Sequence, residues 1–200
     1  MDMDQQRFQP LVIITAPSGS GKTTIVHHLL KRFPELDFSV SACTRPPRQH
    51  EVNGRDYYFL TPEAFQEKIR QGAFAEYEMV YEGKYYGTLI SELERIWHNH
   101  QIPLVDIDVR GAMHLLEKYP QSLSLFIQPP SLDVLRERLI KRGSETSVSL
   151  EERLRKTAEE LSYASRFHHI IYNDTLEHAL SQAEAAVAPF IARMLNKEIH

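Results

Sequence analysis

The sequence predicts an α/β protein with a parallel-sheet core and an inserted mixed α+β lobe. Three observations carry that expectation. Leu11–Thr15 (LVIIT) is an unbroken apolar run rich in β-branched residues, the pattern of a strand buried on both faces. A glycine and serine turn, Pro17–Gly21, leads from it into an amphipathic stretch, and strand, turn and helix together open an α/β unit. The stretch from Ser39 to Trp97 departs from this pattern, alternating short β-like pieces such as Tyr57–Leu60 with Gly54, Gly72, Gly83 and Gly87, and it holds most of the tyrosines.

Taken in order, Thr23–Phe33 places Ile25, Val26, Leu29, Leu30 and Phe33 on one helical face, and Pro34 closes the segment. After the lobe, Leu104–Val109 and Leu123–Gln128 read as two more buried strands. Helices are expected after each, at about Arg110–Lys118 and Leu132–Lys141, with a flexible Gly143–Ser149 linker beyond the second. A longer helix is expected over Leu150–Phe167, a last strand over Ile170–Tyr172 and a terminal helix over Leu176–Leu195. The core then comprises about 10–38, 98–131 and 157–200, interrupted by the lobe at about 39–97 and a basic helical segment at about 132–156.

The 200 residues fit one domain, or one core with inserted lobes. Apolar residues at 42% and charged residues at 25% argue against disorder, collagen and a coiled coil. With 23 Lys and Arg against 27 Asp and Glu, the net charge of −4 does not suit a protein that coats nucleic acid, though it leaves room for local anion sites. The single cysteine, Cys43, excludes an internal disulfide and suits a reducing cytosol. No run approaches the roughly 18 apolar residues of a membrane span, and the amino terminus lacks the basic and apolar regions of a secretory signal.

Residues 16–23 read Ala-Pro-Ser-Gly-Ser-Gly-Lys-Thr. This is the phosphate-loop pattern G-x-x-x-x-G-K-[ST] with Ala16 in place of the first glycine. Gly19 and Gly21 let the backbone curl so that successive N–H groups face phosphate oxygens. The helix beginning near Lys22 adds its positive end. Lys22 reaches the β and γ phosphates, and the Thr23 hydroxyl suits Mg²⁺. The alternative is a strand-to-helix turn that binds nothing; the buried strand before and the amphipathic helix after favour the nucleotide.

A second anion site is suggested by Arg45 and Arg48, which flank Pro46 and Pro47. Two guanidinium groups on a stiff turn can converge on one dianion such as a monoester phosphate, with Tyr57 and Tyr85–Tyr86 adding hydroxyls. A solvated basic loop is the alternative. The ten histidines lack metal-ligand spacing. Asp106 and Asp108 fall on one expected strand and are not expected to share a site. Cys43 has no partner residue for a nucleophilic role.

The phosphate loop, Ser39-Val40-Ser41 with Thr44-Arg45-Pro46-Pro47-Arg48, Glu51-Val52-Asn53-Gly54 with Asp56-Tyr57, Tyr85-Tyr86-Gly87-Thr88, and Asp106-Ile107-Asp108 with Gly111 together resemble the guanylate kinase family in order and spacing. The likeness continues through Pro129-Pro130-Ser131, Arg138, Arg142-Gly143 and Asn173-Asp174. It departs from the family pattern at Ala16, at Ala42-Cys43 and at Arg110.

The resemblance implies a P-loop NTPase-type three-layer fold with a parallel sheet core, a GMP-binding lobe and a helical lid at about 132–156. It implies the reaction ATP + GMP = ADP + GDP in purine nucleotide metabolism, with Mg²⁺, in the cytoplasm, with no obligate protein partner evident. Residues 16–24 (Ala16, Pro17, Ser18, Gly19, Ser20, Gly21, Lys22, Thr23 and Thr24) and Asn173 match ATP positions. Ser41, Glu76 and Thr88 match positions that read guanine, and Arg45, Arg48, Tyr57 and Tyr86 match positions that hold the GMP phosphate. Asp106 matches a position near GMP and the metal. Lys22, Arg138, Arg142 and Arg153 match the cations that stabilise the transferring phosphoryl group. Guanine chemistry agrees: N1–H and N2–H₂ are adjacent donors that one carboxylate can accept, whereas adenine would leave it unpaired. Two other readings are a related P-loop kinase acting on a ribose phosphate, and an inactive phosphoprotein-binding module of guanylate-kinase type. The intact Lys22 and Thr23 speak against the module.

Overall fold

The computed structural model describes residues 9–131, 133–136 and 147–198, without the side chains of 81, 147–154 and 197–198. Strand β1 (Val12–Thr15) is buried along its whole length and lies parallel to β7 (Ile102–Ile107) on one side and β8 (Leu123–Gln128) on the other. Strand β2 (Leu36–Phe38) joins β7, and β9 (His169–Tyr172) joins β8, giving the order β2-β7-β1-β8-β9.

Alternation along these strands feeds two cores. Val12, Ile14, Leu104 and Leu125 meet Ile25, Val26 and Leu29 of α1 (Lys22–Arg32) together with Ala183, Val187 and Ile191 of α6 (Leu176–Glu198). Ile13, Val105 and Phe126 meet Leu93 of α3 (Ile90–His98) and Ala112 and Leu115 of α4 (Val109–Lys118) on the other face. Three layers result. Glu184 also contacts His28 and Arg32 across the α1–α6 seam, with all three side chains at least a third exposed or nearly so. Exposed pairs of this kind contribute about 0–1 kcal/mol, against about 1.5–3 kcal/mol for each fully buried aliphatic side chain, so the apolar contacts hold the seam.

Between β2 and β7 the chain builds a second sheet of order β4-β3-β6-β5, from β3 (Ala42–Cys43), β4 (Tyr58–Phe59), β5 (Phe74–Tyr81) and β6 (Lys84–Leu89). Helix α2 (Pro62–Arg70) starts where Thr61 caps the Ala64 N–H and Pro62 supplies its fixed φ. Its one buried residue, Phe65, stacks on Phe74 at 4.4 Å between ring centroids. The second sheet is tied to the first through Glu92 of α3, which accepts from the Tyr58 hydroxyl at 2.9 Å and from the Val40 N–H at 3.3 Å.

Several elements are placed differently from the sequence expectation. The strand expected at Leu104–Val109 is β7, Ile102–Ile107, because Asp108 leaves the ladder to cap α4, accepting from the N–H groups of Arg110 and Gly111. The helix expected at Leu150–Phe167 is α5, Ser147–Ser162, followed by a 3₁₀ turn at Ala164–Arg166 whose Ala164, with the following Phe167, packs into the core. The end of the expected Gly143–Ser149 linker is therefore helical. Residues 133–136 are helical, whereas the rest of the expected Leu132–Lys141 helix lies outside the described residues.

Candidate active site

The phosphate loop joins the C-terminal end of β1 to the start of α1. Gly19 and Gly21 adopt φ of 89° and 88°, left-handed values that other residues rarely take. Among the described residues, His100 is the one non-glycine with positive φ, so position 16 needs no left-handed backbone. Ala16 is instead buried in the core, which explains how alanine serves where the pattern has glycine. No side chain caps α1, so its first-turn N–H groups are left for a ligand, with the Thr23 and Thr24 side chains exposed beside them.

Asn173, at the end of β9, donates its side-chain N–H to the Ser20 carbonyl at 2.6 Å and braces the loop from below. A Cβ on Gly21 would stand 2.5 Å from that Asn173 nitrogen, so this close approach also demands glycine. Lys22 crosses from the loop to β7. Its ammonium donates to the Ile107 carbonyl at 2.9 Å and forms an ion pair with Asp106.

A cavity of about 150 Å³ opens between Lys22 and the inserted sheet, lined among others by Ser41, Tyr57, Glu76, Tyr86 and Asp106. Asp108 lines it too, which overturns the expectation that the two aspartates cannot share a site. Residues two apart on a strand lie on the same face, so strand alternation alone already puts Asp106 and Asp108 on one side, and Asp108 caps α4 from there.

Glu76 lies on β5 opposite Thr88 of β6 and is 7% exposed. One carboxylate oxygen accepts from the Thr88 N–H at 2.9 Å and from its hydroxyl at 2.7 Å. Burial pushes its pKa up to about 7, against the two Thr88 hydrogen bonds, with Asp108 adding to the rise. A buried acceptor of this kind, with one oxygen left over, is suited to adjacent N–H donors.

The arginine turn is organised by a residue to which the sequence reading gave no role. Glu51 takes both terminal nitrogens of Arg45, at 2.6 and 2.7 Å, and also the Arg48 N–H at 2.8 Å. These bonds hold the Glu51 carboxyl down at about 2, and the same pairing raises Arg45 further above its already high range. The Arg45 guanidinium lies 4.8 Å over the Tyr57 ring, and burial pushes the Tyr57 hydroxyl up to about 12. Arg45 thus stands directly behind a cavity wall, whereas the Arg48 side chain is exposed at 78% and only approaches Glu51, at 4.0 Å. The structure brings together Lys22, Asp106, Ser41, Tyr57, Glu76, Tyr86, Thr88 and Arg45, but not Arg48.

Arg138 and Arg142 lie outside the described residues, as does the side chain of Arg153. Helix α5 nonetheless approaches the site. Lys156 donates to the Val80 carbonyl at 3.1 Å, and burial raises the Glu160 carboxyl to about 7, against Lys156, with Asp108 adding to the rise. Neither residue carried a signal in the sequence beyond being one charge among many on a helix.

A phosphate loop at the end of a parallel-sheet strand, facing a cavity with a buried carboxylate in its wall, defines the class as a P-loop kinase. The guanylate kinase family profile matches residues 8–189. A guanylate kinase of Chlorobium luteolum is 45% identical over 94% of this chain and 95% of its own. One of Porphyromonas gingivalis is 45% identical over 92% and 98%. The crystal structure of guanylate kinase from Anaplasma phagocytophilum superposes with a TM-score of 0.73 at 28% identity, over 94% of this chain and 87% of that one. The chain belongs to the guanylate kinase family.

Proposed function

We propose that this protein transfers the γ-phosphate of ATP to GMP, giving ADP and GDP. The observation that carries the reading is Glu76: a buried carboxylate, held through one oxygen by Thr88, in the cavity that also receives Lys22. Its free oxygen meets the N1–H and N2–H₂ edge of guanine. Adenine presents a bare N1 there, and such a mismatch against a buried polar group is worth about 10⁴-fold in discrimination.

The chemistry needs little beyond placement and charge. An oxygen of the GMP phosphate, already ionised at neutral pH, forms the new bond to the γ-phosphorus. The bond from that phosphorus to the bridging oxygen breaks, and ADP leaves with the electron pair. The N–H groups of the loop and of the first turn of α1 hold the donor phosphates. Lys22, aimed across the gap by Asp106 and the Ile107 carbonyl, neutralises charge on the transferring group. Arg45, held by Glu51, pairs with the acceptor phosphate, with Tyr57 and Tyr86 as hydroxyl donors and Ser41 beside the base. The Thr23 hydroxyl and the Asp106 carboxylate are hard oxygen donors next to the loop and fit Mg²⁺, which when bound shares the charge of the donor phosphates.

In this reading the second sheet is the GMP lobe and the segment at about 132–156 is the lid, with Arg138, Arg142 and Arg153 directed at ATP. A cytoplasmic place in purine nucleotide metabolism follows from the same activity. Among the described residues no helix is long and apolar enough to cross a membrane. The test is ADP release with GMP, AMP, UMP and ribose 5-phosphate as acceptors. A preference for GMP of at least 10³-fold in kcat/KM is expected. Equal use of AMP, or turnover with ribose 5-phosphate alone, refutes the assignment.

A further inference from the structure

Position 111 sits in the first turn of α4, on backbone without a positive φ, where alanine outranks glycine on helix propensity alone. The surroundings explain the glycine. A Cβ there would stand 2.6 Å from Oε2 of Glu76 and 2.6 Å from Cδ1 of Ile107, closer than any real methyl contact. The Glu76 carboxylate is therefore bounded twice: Oε1 is tied to Thr88, and Oε2 rests against the bare side of α4.

We propose that Gly111 is a specificity-determining position, acting through Glu76: its missing side chain lets the carboxylate lie where both its oxygens are placed, one on Thr88 and one toward the purine edge. The inference rests on the reading of Glu76 as the guanine acceptor. Gly111 makes no contact with the purine in this account; it is a positioning residue. A methyl group at 111 displaces Oε2 and turns the carboxylate plane, because Oε1 stays anchored. Alignment with two adjacent N–H donors is lost before alignment with one.

The experiment is steady-state kinetics of Gly111→Ala with GMP, with IMP (which lacks the exocyclic amine) and with ATP. The KM for GMP is expected to rise at least tenfold, the KM for ATP to stay within twofold, and the preference for GMP over IMP in kcat/KM to fall at least fivefold. The Ile107→Val/Gly111→Ala variant removes the nearer Ile107 clash and keeps the one with Glu76, so it carries the same test should Gly111→Ala fail to fold. The same rise in KM for GMP is expected there, and recovery of the wild-type value overturns the inference. In a Glu76→Ala background, Gly111→Ala is expected to change the KM for GMP less than twofold; a full tenfold effect there also overturns it. If Glu76→Ala by itself leaves GMP binding and the GMP-over-IMP preference unmoved, the guanine reading fails and the inference with it. If Glu76→Ala acts and Gly111→Ala does not, the inference about position 111 alone fails.

Discussion

Glu76→Gln isolates the cost of keeping an ionisable acceptor buried. The glutamine has the same shape, and its carbonyl can accept both Thr88 bonds. The wild-type carboxyl has a pKa of about 7 in the folded protein against 4.5 as its ordinary value. A carboxyl whose folded pKa is raised stabilises nothing when ionised. Its folded form is at no disadvantage below pH 4.5, and stability is lost as the pH climbs from there through 7. At about 1.4 kcal/mol per pH unit, the full loss is about 3 kcal/mol, most of which falls between pH 5 and pH 8. Urea unfolding of wild type and variant at these two pH values reads the difference directly. Glu76→Gln is expected to gain roughly 2–3 kcal/mol on wild type from pH 5 to pH 8. A difference between the two proteins that stays constant within 0.5 kcal/mol would refute the claim that Glu76 ionises at a raised pKa in the folded state. The variant keeps an acceptor but places an amide N–H₂ against the purine donors, so its KM for GMP is expected to rise while its stability improves. Stability and function then move in opposite directions at one residue.

Four further expectations follow from other contacts. Lys22→Met is expected to lower kcat by about 10²–10³-fold with the fold intact by circular dichroism, and a variant with a tenth of wild-type activity contradicts the role of the ammonium. Asn173→Ala removes the brace on the Ser20 carbonyl, a bond worth about 1 kcal/mol, so the KM for ATP is expected to rise about fivefold and that for GMP less than twofold. Glu51→Gln halves the grip on Arg45 and is expected to raise the KM for GMP about tenfold, with equal changes in both substrates counting against it. Tyr58→Phe cuts the bond from the second sheet to Glu92 of α3; thermal unfolding is expected to register a loss of about 1 kcal/mol with kcat/KM within twofold of wild type.

The parts of this architecture legible in the sequence are those set by local pattern. The LVIIT run and the loop that follows it needed only burial on both faces and glycine conformations to be read. The strand at Leu123–Gln128 was expected at the bounds it has. Contacts between distant segments were not legible. Glu51 stands among the quoted motifs, yet nothing in its spacing says that it takes both nitrogens of Arg45. Asp108 was set aside on a misapplied alternation, since residues two apart on a strand share a face, and both aspartates line the cavity. Asn173 carried a role by resemblance, but its bond to the loop joins residues 153 positions apart, beyond any local pattern. Gly111 illustrates the same limit, since the need for a missing side chain appears only when β5 brings Glu76 against α4.

The position of the second sheet, between the neighbouring strands β2 and β7, has a consequence for how the chain folds. All the parallel pairings of the core that involve β7 must wait for residues 39–101 to be brought back, as Val12 meeting Leu104 makes plain. In equilibrium terms this delay is minor: closing so long a crossover rather than one of about a dozen residues costs about 1.5 kcal/mol more. In kinetic terms it weighs more, because non-local pairings come late. The β5–β6 hairpin, closed by a turn with Gly83 at φ 69°, is local and can form early. Folding of the inserted sheet first would draw the ends of the crossover together and set the Glu76–Thr88 wall of the cavity, which Lys22 and Asp106 join only when β7 pairs with β1.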